Sequence, residues 1–179
     1  MTAPSAIATD RALDAELFVV VVCHAFPCAL SSRWIVRLLL PDEVRVRDAG
    51  VIEVEDRLFA AWNLGEMLGL DPLGDAWILL DVPHDGASVP IALQTGACLA
   101  AQPLTTRFPL PSGLFHARRG ALGAAFVAKE VGAGQFGLVG LYFDAARAWT
   151  REELDRSKSA VSFRMDLERP PRAKGPGRS

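Results

Sequence analysis

Two runs of this chain, residues 18–23 and 76–82, are apolar at almost every position instead of alternating with polar ones. A strand half open to water alternates, whereas a nearly unbroken apolar run needs cover on both faces. The fold must therefore pack at least two layers of strand. Further short runs rich in β-branched and aromatic residues cover 34–40, 51–54, 58–63, 89–94, 122–128 and 136–143. Turn signals separate them at Pro41-Asp42, Asp71-Pro72, Pro83-His84-Asp85-Gly86, Pro109-Leu110-Pro111 and Gly132-Ala133-Gly134. The pattern predicts a mainly β protein built as two small barrels leaning on each other, with a boundary between them near 70–75.

Local chemistry refines this. Glu55-Asp56 separates two apolar runs at hairpin spacing, but a tight primed turn favours Gly at its second position, so a looser turn is predicted. Helices are expected to be few and short: 64–70, ended by Gly69, and 145–156, where Thr150 is followed by Glu152 and Glu153 in capping positions. Residues 1–16 read as a frayed arm or short helix. Residues 155–179 read as a C-terminal extension; from Arg164 onward it carries five Arg/Lys against two Asp/Glu with three prolines and is predicted to be disordered.

Composition narrows the function. Half of the 179 residues are apolar and the net charge is −2, which fits a packed core and argues against a general phosphate-neutralising nucleic-acid binder. Cys23, Cys28 and Cys98 leave an odd thiol in any disulfide scheme, and a reducing cytoplasm is expected. The longest apolar stretch, 17–30, is interrupted by His24 and Pro27 and is too short to span a bilayer as a helix, so no membrane insertion is expected.

Motifs for chemistry are weak. Gly132-Ala133-Gly134-Gln135-Phe136-Gly137 matches a dinucleotide fingerprint, but a strand pattern follows where a helix is required, so the glycines read as a hairpin. Cys23, His24 and Cys28 fall short of the four ligands of a structural zinc site, and the two cysteines read as small core residues. Asp42-Glu43, Glu53/Glu55-Asp56 and Glu152-Glu153 sit at turns or caps, where carboxylates are solvated; Arg118-Arg119 reads as a solvated loop. No catalytic set, metal or cofactor is expected.

One stretch carries a family resemblance. Gly50-Val51-Ile52-Glu53-Val54-Glu55-Asp56-Arg57-Leu58-Phe59-Ala60-Ala61-Trp62-Asn63-Leu64-Gly65-Glu66-Met67-Leu68-Gly69 is similar, without a gap, to the strand–turn–strand and short helix of CheW-like domains, usually written G-v-x-N-L-R-G-x-x-x-P-v-v-D-L. Residues 76–82 with 89–96 resemble the paired strands leading to that family's Val-Asp-Gly element. Residues 136–154 resemble its last strand and terminal helix. The resemblance spans about residues 17–154 and implies two SH3-like β-barrel subdomains packed on a shared core, with short helices. The polar signature departs from the pattern: Asn-Leu-Arg-Gly becomes Glu53-Val54-Glu55-Asp56, the Pro becomes Ala60, the Asp becomes Asn63, and Val-Asp-Gly becomes Gln94-Thr95-Gly96. Arg37 stands where a Glu is common and Glu55 where the Arg is expected, as if the two charges were exchanged.

The resemblance implies a non-catalytic adaptor of a chemosensory-type signalling system in the bacterial cytoplasm. Its partners would be a histidine kinase regulatory domain, a chemoreceptor or another CheW-like protein. Arg37, Val51, Val54, Glu55 and Arg57 are the contact candidates, with Arg37 and Glu55 expected close together on a surface where sign decides the partner. Ile35 or Leu39 is either an exposed anchor or core, with core favoured. Two alternatives stand beside this: a CheW-like module re-employed in motility, polarity or development, and a small β-barrel ligand-binding protein or enzyme using His84, Asp85 or Arg118.

Overall fold

The computed structural model describes residues 17–24, 26–48, 50–103, 106–109, 125–132 and 135–168. Its strands are β1 (Leu17–Cys23), β2 (Phe26–Ser31), β3 (Ile35–Leu39), β4 (Arg45–Asp48), β5 (Val51–Val54), β6 (Arg57–Asn63), β7 (Ala76–His84), β8 (Ala87–Thr95), β9 (Cys98–Pro103), β10 (Thr106–Pro109), β11 (Ala125–Gly132) and β12 (Gln135–Phe143). The α-helices are α1 (Leu64–Met67), after β6, and α2 (Arg151–Glu168), after β12.

The strands form two mixed sheets, ordered β10-β11-β12-β2-β1-β9 and β3-β7-β8-β6-β5-β4. Pairing is antiparallel except for β12 with β2 and β6 with β8. This matches the expected two-part architecture in general shape. The boundary near 70–75 is corrected, because β6 and β8 lie on either side of it yet pair in one sheet. The first sheet instead takes β1 and β2 from one end of the chain and β9–β12 from the other.

The main core lies between the sheets. Val19, Val21 and Cys23 of β1 meet Ile78, Leu80 and Val82 of β7 there, with Ile91, Leu93, Leu141, Phe143 and Trp149 around them. The alternate residues are also buried: Phe18 and Val20 pack with Ala29 and Tyr142, while Trp77 and Leu79 pack with Leu39, Ile52, Val54, Phe59 and Ala92. Both faces of β1 and most of β7 are covered, which accounts for their nearly unbroken apolar sequence.

Two prolines sit in central strands without breaking them. β2 meets β12 from Cys28 onward and β8 meets β6 from Ile91 onward, so Pro27 and Pro90 stand just before those ladders begin. β11 and β12 pair with Gly132 opposite Gln135, so a strand follows the glycine motif, as its hairpin reading requires.

The looser turn expected at Glu55-Asp56 is corrected. Val54 pairs with Arg57 directly, and the two connecting residues take φ of +48° and +62°. This is a tight primed hairpin without glycine, favoured because its twist matches that of the strands. Left-handed backbone strains a side chain, so Asp56→Gly is expected to raise stability by about 0.5–1 kcal/mol. The urea midpoint measures this, and an unchanged or lower midpoint would show that the Asp56 side chain offsets its own strain.

Helix α2 corrects the predicted 145–156. Residues ahead of it form a turn in which the Asp144 carboxylate accepts from Ala146 N at 3.1 Å. The helix starts at a capping box: Glu153 N donates to Thr150 Oγ1 at 3.2 Å and Thr150 N to Glu153 Oε2 at 2.9 Å. It then runs to Glu168, shortly before Pro170, so Arg164–Glu168 are helical, contrary to the disorder predicted from residue 164. The expectation that all helices are short fails here.

Candidate partner-binding surface

Strand β3 is an edge strand, paired to β7 with Leu39 opposite Trp77 and Arg37 opposite Leu79. Leu39 is buried and Ile35 packs against the main core, so both are core, as favoured from the sequence. Val36 (47% exposed), Leu38 (43%) and Leu40 (61%) stand out to solvent, and Val46 (72%) does so on the opposite edge strand, β4. The sequence reading missed these exposed side chains. Their signal was the run Val36-Arg37-Leu38-Leu39-Leu40, whose one buried member among four apolar residues leaves three without cover.

Arg37 leaves this strand toward the tip of the β5–β6 hairpin. Its Nη1 donates to Glu55 Oε1 at 2.5 Å and its Nη2 to Glu43 Oε1 at 3.1 Å. The bond to the Glu55 carboxylate holds the guanidinium above its ordinary pKa range. Arg37 and Glu55 are thus together, as expected. Both are well exposed, and an exposed pair of this kind adds little to stability. Arg47 pairs with the buried Glu53 on the neighbouring strands. Asp42, Glu43, Arg45, Glu53, Glu55 and Asp56 line an open notch of about 310 Å³ beside the tip. Arg57 is exposed and lies over the Phe59 ring at 5.4 Å.

Two contact candidates are corrected. Val51 is buried with Leu58, Ala60 and Val161 of α2, and Val54 with Leu39, Ile52, Phe59 and Trp77. Neither offers a side chain to a partner in this conformation.

Two pairs of departures from the family pattern interact. Arg37 meets Glu55; Asn63, where the pattern has Asp, meets Gln94, where it has Val. Asn63 Nδ2 donates to Gln94 Oε1 at 3.0 Å and to Leu73 O at 2.8 Å, two bonds that an ionised Asp cannot make. Its Oδ1 accepts from Gly65 N, Glu66 N and Leu73 N, capping α1 and fastening the following loop. Thr95, in place of the pattern's Asp, donates through Oγ1 to Gly96 O at 2.9 Å.

Two of the polar residues of the enzyme or ligand-binding alternative, His84 and Asp85, are bonded to the last helix. His84 Nε2 lies 2.8 Å from Asp155 Oδ1 and Arg151 Nη2 donates to Asp85 Oδ2 at 2.8 Å, which joins the start of α2 to the β7–β8 hairpin. The His84 contact holds the Asp155 carboxyl below its ordinary pKa. His84, Asp85 and Asp155 bring three donor atoms within 4.8 Å, and Arg151 is already on one of the two carboxylates. Cys23 and Cys28 are buried and hydrogen-bond to each other, which lowers the pKa of Cys23 and raises that of Cys28. Arg118, Arg119 and His116 lie outside the described residues. A second cleft, of about 420 Å³, is lined by Trp62, Asn63, Glu66, Pro72, Trp77 and Gln94 among others; the Asn63 amide there is committed to the bonds above.

The two-sheet arrangement, with an interleaved first sheet, matches a CheW-like fold in general shape. Among solved structures, the chain is similar to the scaffolding protein TtCheW from Thermoanaerobacter tengcongensis, with a TM-score of 0.52 and 11% identity over 72% of this chain and 87% of that one. No protein-family profile matches the chain. No curated protein matches it either. Among the described residues, no helix is long and apolar enough to cross a membrane.

Proposed function

We propose that this protein is a non-catalytic adaptor of a bacterial chemosensory-type system, working in the cytoplasm and coupling a histidine kinase regulatory domain, a chemoreceptor or another CheW-like protein by surface contact. The observation that carries this is the uncovered apolar side of β3, formed by Val36 and Leu38 and continued by Leu40 just after the strand, beside the Arg37–Glu55 tip. An apolar patch rimmed by fixed charge is the usual anatomy of a docking surface. The similarity to a scaffolding protein supports the same reading. Leu38 supplies apolar anchorage, and the exchanged charges at positions 37 and 55 select the partner, since the wrong sign at a rim repels.

Binding of the full chain to purified kinase regulatory domain, receptor signalling fragment and CheW-like protein from the same cells tests this. Arg37→Glu is expected to weaken the productive complex about tenfold, chiefly through slower association, and Leu38→Asp to abolish it. Reversing both charges together, Arg37→Glu with Glu55→Arg, keeps the pair intact while inverting the surface and should also lower affinity. Unchanged affinity in the double reversal would remove the recognition role from this tip. Failure of kinase, receptor and CheW-like partners alike to bind would remove the adaptor assignment.

A further inference from the structure

His84 and Asp85 are neighbours in sequence, and successive residues of a strand point to opposite faces. They reach one side here because the β7–β8 hairpin turns on Asp85 and Gly86, with His84 opposite Ala87 and φ of +46° and +77° at the two turn residues. Asp155 arrives at the same point from the second turn of α2. Among the described residues, this is the one place where three His, Cys, Asp or Glu donors converge closely enough to share an ion. The notch beside Glu55 is richer in carboxylates, yet forms no such group among the described residues. The His84 side chain is 7% exposed, whereas those of Asp85 and Asp155, at 55% and 58%, open to solvent. A buried ring nitrogen therefore faces two wet oxygens, an arrangement that leaves water room to complete a coordination sphere.

The spacing fits. His84 Nε2 lies 2.8 Å from Asp155 Oδ1 and 3.9 Å from Asp85 Oδ2. Ligands of a tetrahedral zinc ion, at bonds of about 2.0–2.1 Å, stand about 3.3 Å apart, so the two separations bracket the one required. One imidazole with two carboxylates suits a borderline divalent cation that keeps water in its fourth position. Two positive charges oppose it: Arg151 Nη2 is 2.8 Å from the same Asp85 oxygen, and Lys158 acts on Asp155. The Arg151 side chain is itself mostly exposed, and giving up an exposed ion pair costs little.

We propose that His84, Asp85 and Asp155 form a binding site for a divalent transition-metal ion, with zinc as the ion it fits, and that Arg151 competes with the ion for the Asp85 oxygen. The ion takes the place of the proton between His84 Nε2 and Asp155 Oδ1, and the neutral imidazole then carries its proton on Nδ1. Once bound, the ion ties the β7–β8 hairpin to the start of α2. The unfolded chain separates residues 84 and 155, so binding favours the native state. This site is distinct from the β3 surface and does not depend on the adaptor assignment.

Zinc titrated into the full chain tests this, with Cys98→Ser in every protein so that the exposed thiol does not compete. Saturable binding is expected, with a shift of the His84 ring signals in NMR and a rise of about 5 °C in the unfolding midpoint at saturation. His84→Gln and Asp155→Asn should each weaken binding at least about tenfold. Arg151→Gln keeps all three ligands and should tighten it about tenfold, because the competing charge is gone. A loss of fold cannot produce a gain in affinity, so this variant decides the matter even if His84→Gln is unstable. No saturable binding below about 1 mM zinc, unchanged affinity in His84→Gln, or unchanged or weaker binding to Arg151→Gln would each overturn the site.

Discussion

Asn63→Ala is expected to lower unfolding stability by about 4 kcal/mol, because one buried amide serves three backbone N–H donors and two acceptors. The substitution leaves Gly65 N, Glu66 N and Leu73 N without the oxygen they share, and each orphaned buried donor costs about 1–3 kcal/mol unless water reaches it. It also releases the loop that carries Leu73 back to the second sheet. Asn63→Asp separates the two halves of the role: the oxygen is kept, but a carboxylate then faces Leu73 O and Gln94 Oε1, so a smaller loss is expected. Urea unfolding of the three proteins measures this. A midpoint shift equivalent to less than about 1 kcal/mol for Asn63→Ala would mean that solvent replaces the amide.

Gly96→Ala should cost about 3 kcal/mol for a different reason. A Cβ at Gly96 would overlap the Val22 carbonyl of β1, and just beside it Val22 N donates to Ala97 O at 2.9 Å. Backbone therefore meets backbone where the chain passes from β8 in the second sheet to β9 in the first. No flexible side chain is available to yield, so one strand must move and carry the packing of Val21 and Cys23 with it. Gly140→Ala tests the same idea within the first sheet, since its Cβ would overlap the Pro27 carbonyl. Thermal unfolding of both variants gives the answer, and a wild-type midpoint for Gly96→Ala would show that the contact relaxes at little cost.

How far the sequence could be read depends on what each residue's environment owes to local pattern. β1 and β7 were legible because burial on two faces leaves almost no polar position, a signal contained within the strand itself. β2 was hidden by Pro27, which usually argues against a central strand but here precedes the β12 ladder. β4, with the sequence Arg45-Val46-Arg47-Asp48, is an edge strand whose charges resemble a loop. The meeting of Arg37 and Glu55 was legible from exchanged signs at two positions. The burial of Val51 was not, because its cover comes from Val161, beyond the point where the helix was predicted to stop. Prolines further along the chain had marked that region as unable to pack, although nothing from Arg151 to Glu168 itself breaks a helix.

The interleaving of the sheets also sets an order of assembly. Residues of the second sheet follow one another without interruption from β3 to β8, so it can close on contacts among neighbours as the chain is synthesised. The first sheet has no such option: Cys28, made early, takes its parallel partner Leu141 from near the end of β12. Until then the β1–β2 hairpin leaves one edge of β2 and the apolar face bearing Val19, Val21 and Leu30 without their final cover. Long-range closure of this kind is slow, and it exposes strand edges while it waits. A ribosome that pauses between β8 and β12 therefore holds one sheet with its strands paired but its core face still uncovered beside a half-built one, and in that interval the open edges are most exposed to wrong pairing.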